Sequence, residues 1–200
     1  MIVGADDWLE GATRDEIVGG SPMTIRRCLV IHFTSGASAR SSISSMRDQG
    51  LSCHLVIERD GEIFQCRPFS RTCAHAGVSR WRDPKTGTLF VGANSFSIGI
   101  ELANAGDDEK LARQWSKMPL LPARHRNNAT VKNWEIYPPE QFTACVEVSK
   151  LLVARYNLDD VTGHDCIAPE RKNDPGPAFP MRELRDACGF GKTLPDVHKP

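Results

Sequence analysis

A mixed α/β fold, with one central β-sheet of mixed strand direction flanked by helices in a single domain, is what this sequence predicts. Three observations carry that reading. Short apolar runs of strand length alternate with segments of helical period, in the order β-α-β-β-β-α-β-α. The clearest helical pattern comes late, over 138–157, and is followed by one more short strand and a closing helix. No internal repeat or second domain is discernible in the 200 residues.

Residues 1–25 read as an N-terminal segment, 26–188 as the core domain and 189–200 as a loose tail. "RRCLVIHFT" (26–34) is a continuous β-branched apolar run, which suits a strand buried on both faces. "SARSSISSMRDQG" (38–50) reads as a helix capped by Ser38, with Ala39, Ile43 and Met46 on one face and Gly50 at its end. "CHLVIERDGEIFQCRPF" (53–69) is two strands around the tight-turn dipeptide Asp60-Gly61. "NSFSIGIELAN" (94–104) alternates, with Phe96, Ile98, Ile100 and Leu102 on one side and Ser97, Gly99 and Glu101 on the other. Residues 105–137 are polar and irregular, and read as an insertion. "PPEQFTACVEVSKLLVARYN" (138–157) opens on prolines and carries a stripe of Phe142, Cys145, Val146, Ser149, Leu152, Val153 and Tyr156. "DVTGH" (160–164) is a short strand, and "PMRELRDAC" (180–188) a closing helix.

Composition removes several function classes. Lys plus Arg and Asp plus Glu both number 25, so the chain lacks the basic excess of a nucleic-acid binder. No apolar run approaches membrane-spanning length, and the N-terminus has no apolar core of a signal peptide. The seven cysteines are odd in number, scattered and without a CxxC, which points to reduced thiols and a cytoplasmic location. No nucleic acid, membrane or protein partner is expected.

The chemistry concentrates in "GHDCIAPERKNDPGPAF" (163–179), a loop too rich in proline for a helix interior or a central strand. His164 ends the short strand before it, and His32 ends the buried strand of "VIHFTSG". With Asp174 folded back from the proline-fixed loop, two histidines and a carboxylate make a familiar catalytic zinc set with one open position. The spacing equally allows hydrogen-bonded structural histidines and an aspartate that only starts a turn. Glu101 has small neighbours on its strand face, and is a candidate acid–base or a carboxylate paired at the surface. Cys166, two residues after His164, leaves a cysteine–histidine hydrolase open. His54 reads as core or as support to a site, and His125 and His198 as solvated.

"VIHFTSG", "SFSIGIELANAG", "YPPEQ" and "GHDCIAPERKNDPGPAFP" resemble, in order, the motifs of the zinc-dependent N-acetylmuramoyl-L-alanine amidases, over about Arg26 to Cys188. That family includes peptidoglycan recognition proteins, phage endolysins and cytosolic amidases of cell-wall recycling. The resemblance implies a Zn²⁺ cofactor on His32, His164 and Asp174, with the aspartate placing the chain nearer the recycling branch. It implies hydrolysis of the amide between the lactyl group of N-acetylmuramic acid and L-alanine, in peptidoglycan or in muropeptides. By the same likeness Glu101 moves the proton and Lys172, in preference to Arg171, stabilises developing charge. His75, in "CAHAGVSRW", resembles a substrate-lining segment, and Asn94 is placed beside it as a second substrate contact. A phage endolysin and a non-catalytic peptidoglycan-binding module are the alternatives within this resemblance.

Overall fold

The computed structural model describes residues 1–191, so His198 and most of the expected tail lie outside it. In chain order, strands β1 (Ile2–Val3) and β2 (Leu9–Glu10) form a small hairpin, followed by β3 (Thr13–Arg14) and β4 (Cys28–Phe33). Helix α1 (Ala39–Asp48) leads to β5 (Leu55–Ile57) and β6 (Ile63–Gln65), then to a hairpin of β7 (Arg80–Arg82) and β8 (Leu89–Val91). Strand β9 (Ser97–Leu102) precedes α2 (Glu109–Trp115) and a third hairpin, β10 (Leu120–Arg124) with β11 (Val131–Glu135). The chain closes with α3 (Pro139–Tyr156), β12 (Asp160–Gly163), α4 (His164–Ile167) and α5 (Met181–Ala187).

The central sheet has the order β12-β4-β9-β5-β6-β3. Strands β12, β4, β9 and β5 run parallel, β6 is antiparallel to β5, and β3 is parallel to β6. The expected mixed sheet is therefore present. Alternation along β4 sorts its side chains between two cores. Leu29 and Ile31 join Cys145, Val148 and Leu152 of α3, whereas Cys28 and Val30 meet Trp81, Phe96 and Ile167 on the opposite face. Strand β9 is sorted likewise, with Ile98, Ile100 and Leu102 facing α3. That leaves His32 and Glu101 on the face turned away from α3.

Local signals hold closely for α1, where Ser38 caps the helix in a capping box with Ser41. The buried line of α3 is Gln141, Cys145, Val148, Ser149 and Leu152, so Phe142, Val146, Val153 and Tyr156 flank the stripe rather than form it. The turn between β5 and β6 is one residue longer than the Asp60-Gly61 dipeptide predicts, because Glu58 and Glu62 still pair at 2.8 Å.

Two expectations need correction. Residues 1–25 are no separate segment: β3 extends the sheet, and Leu9, Met23 and Ile17 are buried in its cores. Residues 105–137 are not irregular, since they form α2 and the β10–β11 hairpin. Their strands escaped the period test because most of the ribbon is solvated and Pro122 interrupts it; of the two strands only Trp134 and Glu135 are buried. Among the described residues no helix is long and apolar enough to cross a membrane.

Candidate metal centre

Three parallel strands bring the site together. His32 on β4 pairs in register with Glu101 on β9, so the two side chains emerge as neighbours on one face. Strand β12 lies on the other side of β4, with Gly163 opposite Ile31, and His164 opens α4 immediately after it. Asp174 arrives on the proline-rich loop. The backbone N–H of Asp165 donates to its carbonyl at 2.7 Å, and Tyr137 Oη donates to Pro175 O at 2.8 Å. Gly176, at φ 74°, lets the loop turn under Trp134, whose ring lies 2.6 Å from where a Cβ would stand.

The three expected ligands converge. His32 Nδ1 lies 2.9 Å from His164 Nδ1 and 2.8 Å from Asp174 Oδ2, and His164 Nδ1 lies 2.9 Å from the same oxygen. All three are buried. A proton could lie on one edge of this triangle, but the remaining edges would then set lone pair against lone pair. One small cation satisfies all three atoms at once. His164 is already oriented for it, since its Nε2 faces the carbonyl of Ala76 at 3.1 Å and donates there, leaving Nδ1 bare.

Electrostatics agree with this arrangement. Burial, reinforced by the nearby His164, pulls His32 down from 6.5 to about 4, so its ring is neutral at neutral pH. Burial alone would raise Asp174, yet its contacts with His164 and His32 override that and hold the carboxyl well below the usual range. Glu101 has the opposite fate. Burial, and then the neighbouring Asp174 carboxylate, raise it well above 4.5, while Lys172 partly offsets the rise. Its Oε2 is buried without a hydrogen-bond partner. Glu101 thus faces the cleft and is not the surface ion pair that the sequence also allowed.

The cleft has a volume of about 530 Å³ and opens onto the three ligands, Glu101 and Lys172. One wall is α1 and the residue that caps its end, through Ser41, Ser45 and Gln49. Sequence reasoning missed that polar stripe, although its four-residue spacing was visible. Lys172 lines the cleft. Arg171 lines it too, but its guanidinium is committed to the opposite loop, donating to Ala76 O and to Val78 O at 2.7 Å from Nη2.

His75 and Asn94 both line the cleft, but their bonds point elsewhere. His75 Nδ1 lies 2.9 Å from His32 Nε2, and Asn94 Oδ1 accepts from the N–H groups of His75 and Ala76 at 3.1 and 2.7 Å. The room that small neighbours were expected to leave beside Glu101 is partly filled, because the His75 ring lies against Gly99. His54 is a core residue, accepting from Gly99 N at 3.1 Å and donating to Arg71 O at 2.9 Å.

Two further expectations fail. His125 is not solvated: it is buried, with Nε2 3.1 Å from Asp165 Oδ2 and its ring over Trp134. Cys166 cannot pair with His164 as a nucleophile. Both lie on α4, where residues two apart point to nearly opposite sides, and burial pushes the thiol up to about 12.

Residues 21–177 match the profile of a family described as N-acetylmuramoyl-L-alanine amidase. The chain is 33% identical over 182 residues to the N-acetylmuramoyl-L-alanine amidase AmiD of Escherichia coli (strain K12), covering 86% of this chain and 56% of that protein. It is 37% identical over 131 residues to the 1,6-anhydro-N-acetylmuramyl-L-alanine amidase AmpD of Enterobacter cloacae, covering 64% of this chain and 52% of the other. The chain thus spans about half the length of these curated relatives. The solved complex of E. coli AmiD with the substrate anhydro-N-acetylmuramic acid-L-Ala-D-γ-Glu-L-Lys superposes with a TM-score of 0.64 at 29% identity, over 91% of this chain and 63% of that one. Sequence profile, relatives and architecture agree with the motifs that frame the converging ligands, and the chain belongs to the N-acetylmuramoyl-L-alanine amidase family.

Proposed function

We propose that this chain is a zinc-dependent amidase that hydrolyses the bond between the lactyl carbonyl of N-acetylmuramic acid and L-alanine in soluble muropeptides. The observation that carries the proposal is the register of β4 and β9, which sets Glu101, whose Oε2 is buried without a partner, beside a member of a converging two-histidine, one-carboxylate set. A zinc ion bound by His32 Nδ1, His164 Nδ1 and Asp174 Oδ2 would supply Lewis acidity and a water acidified to a pKa of about 7.

The chain's own residues account for the remaining work. Glu101, kept reluctant to ionise by burial, takes the proton of the attacking water and passes it to the departing L-alanine nitrogen. Lys172 places a cation where negative charge develops on the scissile carbonyl oxygen, a contribution worth about 3–4 kcal/mol in comparable sites. Arg171, bonded across to Ala76 and Val78, holds the wall of the cleft. His75 and Asn94 line that wall and remain within reach of a bound muropeptide.

Soluble fragments are favoured over polymeric wall because the cleft volume, about 530 Å³, suits a discrete ligand; such sites span roughly 300–1,000 Å³. A recycling role is supported by the AmpD- and AmiD-type likenesses. A reducing, cytoplasmic setting is supported by seven cysteines of which none forms a disulfide among the described residues. The test is mass spectrometry of a purified anhydromuropeptide incubated with zinc-loaded and with chelated protein, with intact sacculi in parallel. Stem peptide beginning at L-alanine should appear only with the metal, and faster from the soluble fragment. Survival of both substrates in the presence of zinc would leave a binding module as the reading.

A further inference from the structure

We infer that the His75–Ala76 dipeptide is a positioning element for the metal centre: the His75 ring fixes His32, the Ala76 carbonyl fixes His164, and Asn94 clamps the pair. The inference rests on the metal reading above, and it gives His75 and Asn94 a role toward the ligands rather than toward the substrate.

The argument for His75 runs backward from a group that can only accept. Ser97 Oγ lies 2.6 Å from the carbonyl of Ala93, so the hydroxyl must donate its single proton there. His75 Nε2 lies 3.2 Å from the same Oγ. With the hydroxyl proton already engaged, that contact requires an N–H on His75 Nε2. Neither ring nitrogen of His75 faces a carboxylate: Nε2 meets Ser97 Oγ and Nδ1 meets His32 Nε2. A neutral ring protonated at Nε2 has a bare Nδ1, which must accept from His32 Nε2 at 2.9 Å. His32 therefore carries its proton on Nε2 and presents a bare Nδ1 to His164 and Asp174. A backbone carbonyl three hydrogen bonds away selects the tautomer of a metal ligand.

Ala76 does the same for His164 in one step, accepting from Nε2 at 3.1 Å. Adjacent residues thus orient two ligands that are 132 positions apart in the chain. Their placement is itself specified. Asn94 Oδ1 accepts from both backbone N–H groups, and the His75 ring rests on Gly99, where an added Cβ would stand 2.6 Å from Cγ. One face of β9 accordingly carries the relay's anchor at Ser97, the berth of its ring at Gly99 and the acid–base group at Glu101. The rings of His32 and His75 meet at 89°, an edge-on contact that suits an N–H directed at a lone pair.

The test measures zinc affinity by competition with a chromophoric chelator, together with kcat and KM on a muropeptide, for wild type, His75→Ala, His75→Asn and Ser97→Ala. His75→Ala should weaken zinc binding about 10- to 100-fold, the usual range for a lost orienting partner. His75→Asn, whose amide oxygen can stand where Nδ1 stood, should recover part of the loss, and Ser97→Ala should lose affinity in the same direction. In metal-free wild type, long-range ¹⁵N correlations should report His32 protonated at Nε2, with mixed tautomers in Ser97→Ala. Zinc affinity equal to wild type in all three variants, with only KM raised, would overturn the inference and return His75 to the substrate. If wild type itself binds no zinc, the metal reading fails together with what rests on it. If His75→Ala does not fold, the Asn and Ser97 variants decide the matter.

Discussion

Glu101, the base of the proposed reaction, sits in surroundings that make its carboxylate hard to form, and the cation that eases ionisation is Lys172. This fixes the sign of two substitutions. Glu101→Gln removes the proton carrier while leaving the ligand triangle untouched. It should retain zinc and lose about 10²- to 10⁴-fold in turnover. Lys172→Met removes a charge that lowers Glu101, so the carboxyl rises further and a larger fraction is protonated at any given pH. The acidic limb of kcat/KM should therefore move to higher pH, alongside a drop in kcat of about 10²- to 10³-fold. A limb that stays in place, or moves down, would separate Lys172 from Glu101. The strict alternation of β9 put Glu101 on the face of His32 by parity, whereas its role and that of Lys172 came from the family resemblance. The His75 relay was not legible, because its direction depends on which atoms of Ser97 and Ala93 are already engaged, and no spacing encodes that.

Among the elements, the β10–β11 hairpin has a structural task that its polar sequence conceals. Trp134 packs on Gly176 and donates from Nε1 to Ala123 O at 3.2 Å, while His125 reaches Asp165, whose N–H holds the carbonyl of Asp174. Glu135 is fully buried, and accepts from Arg59 Nε at 2.7 Å and from Ala105 N at 2.5 Å. The hairpin is therefore a brace behind the ligand loop. Trp134→Ala should cost about 3–5 kcal/mol in urea unfolding, and zinc affinity should fall as well because Asp174 loses its backing. Unchanged metal affinity in a folded, destabilised variant would reduce the hairpin to ordinary packing. Reading the sequence by period could recover α1, α3, β4 and β9, whose buried faces repeat. It could not recover a mostly solvated ribbon anchored by two residues at one end. Nor could it see His125 buried, because its partners Asp165 and Trp134 are remote or carry no pattern of their own.

At the scale of the whole molecule, the parallel block β12-β4-β9 delivers the site at one end of the sheet, while β3 forms the opposite edge. The two apolar runs marked β4 and β9 as strands, but neither their ladder nor the neighbour order was legible, since β12 reaches β4 from the far end of the core. That order has a kinetic consequence. His32 meets His164 and Asp174 across separations of 132 and 142 residues, so the ligands cannot be near one another until nearly the whole chain has found its place. Contacts of such long range form late on the folding path. An ion that needs all three ligands therefore stabilises the finished structure but not the barrier leading to it. Stopped-flow measurements should find refolding equally fast with and without zinc, and unfolding slower in its presence. Faster refolding in zinc would mean that the ligands already meet at the transition state. The metal would thus act as a latch on a completed molecule, setting how long it stays folded rather than how quickly it arrives.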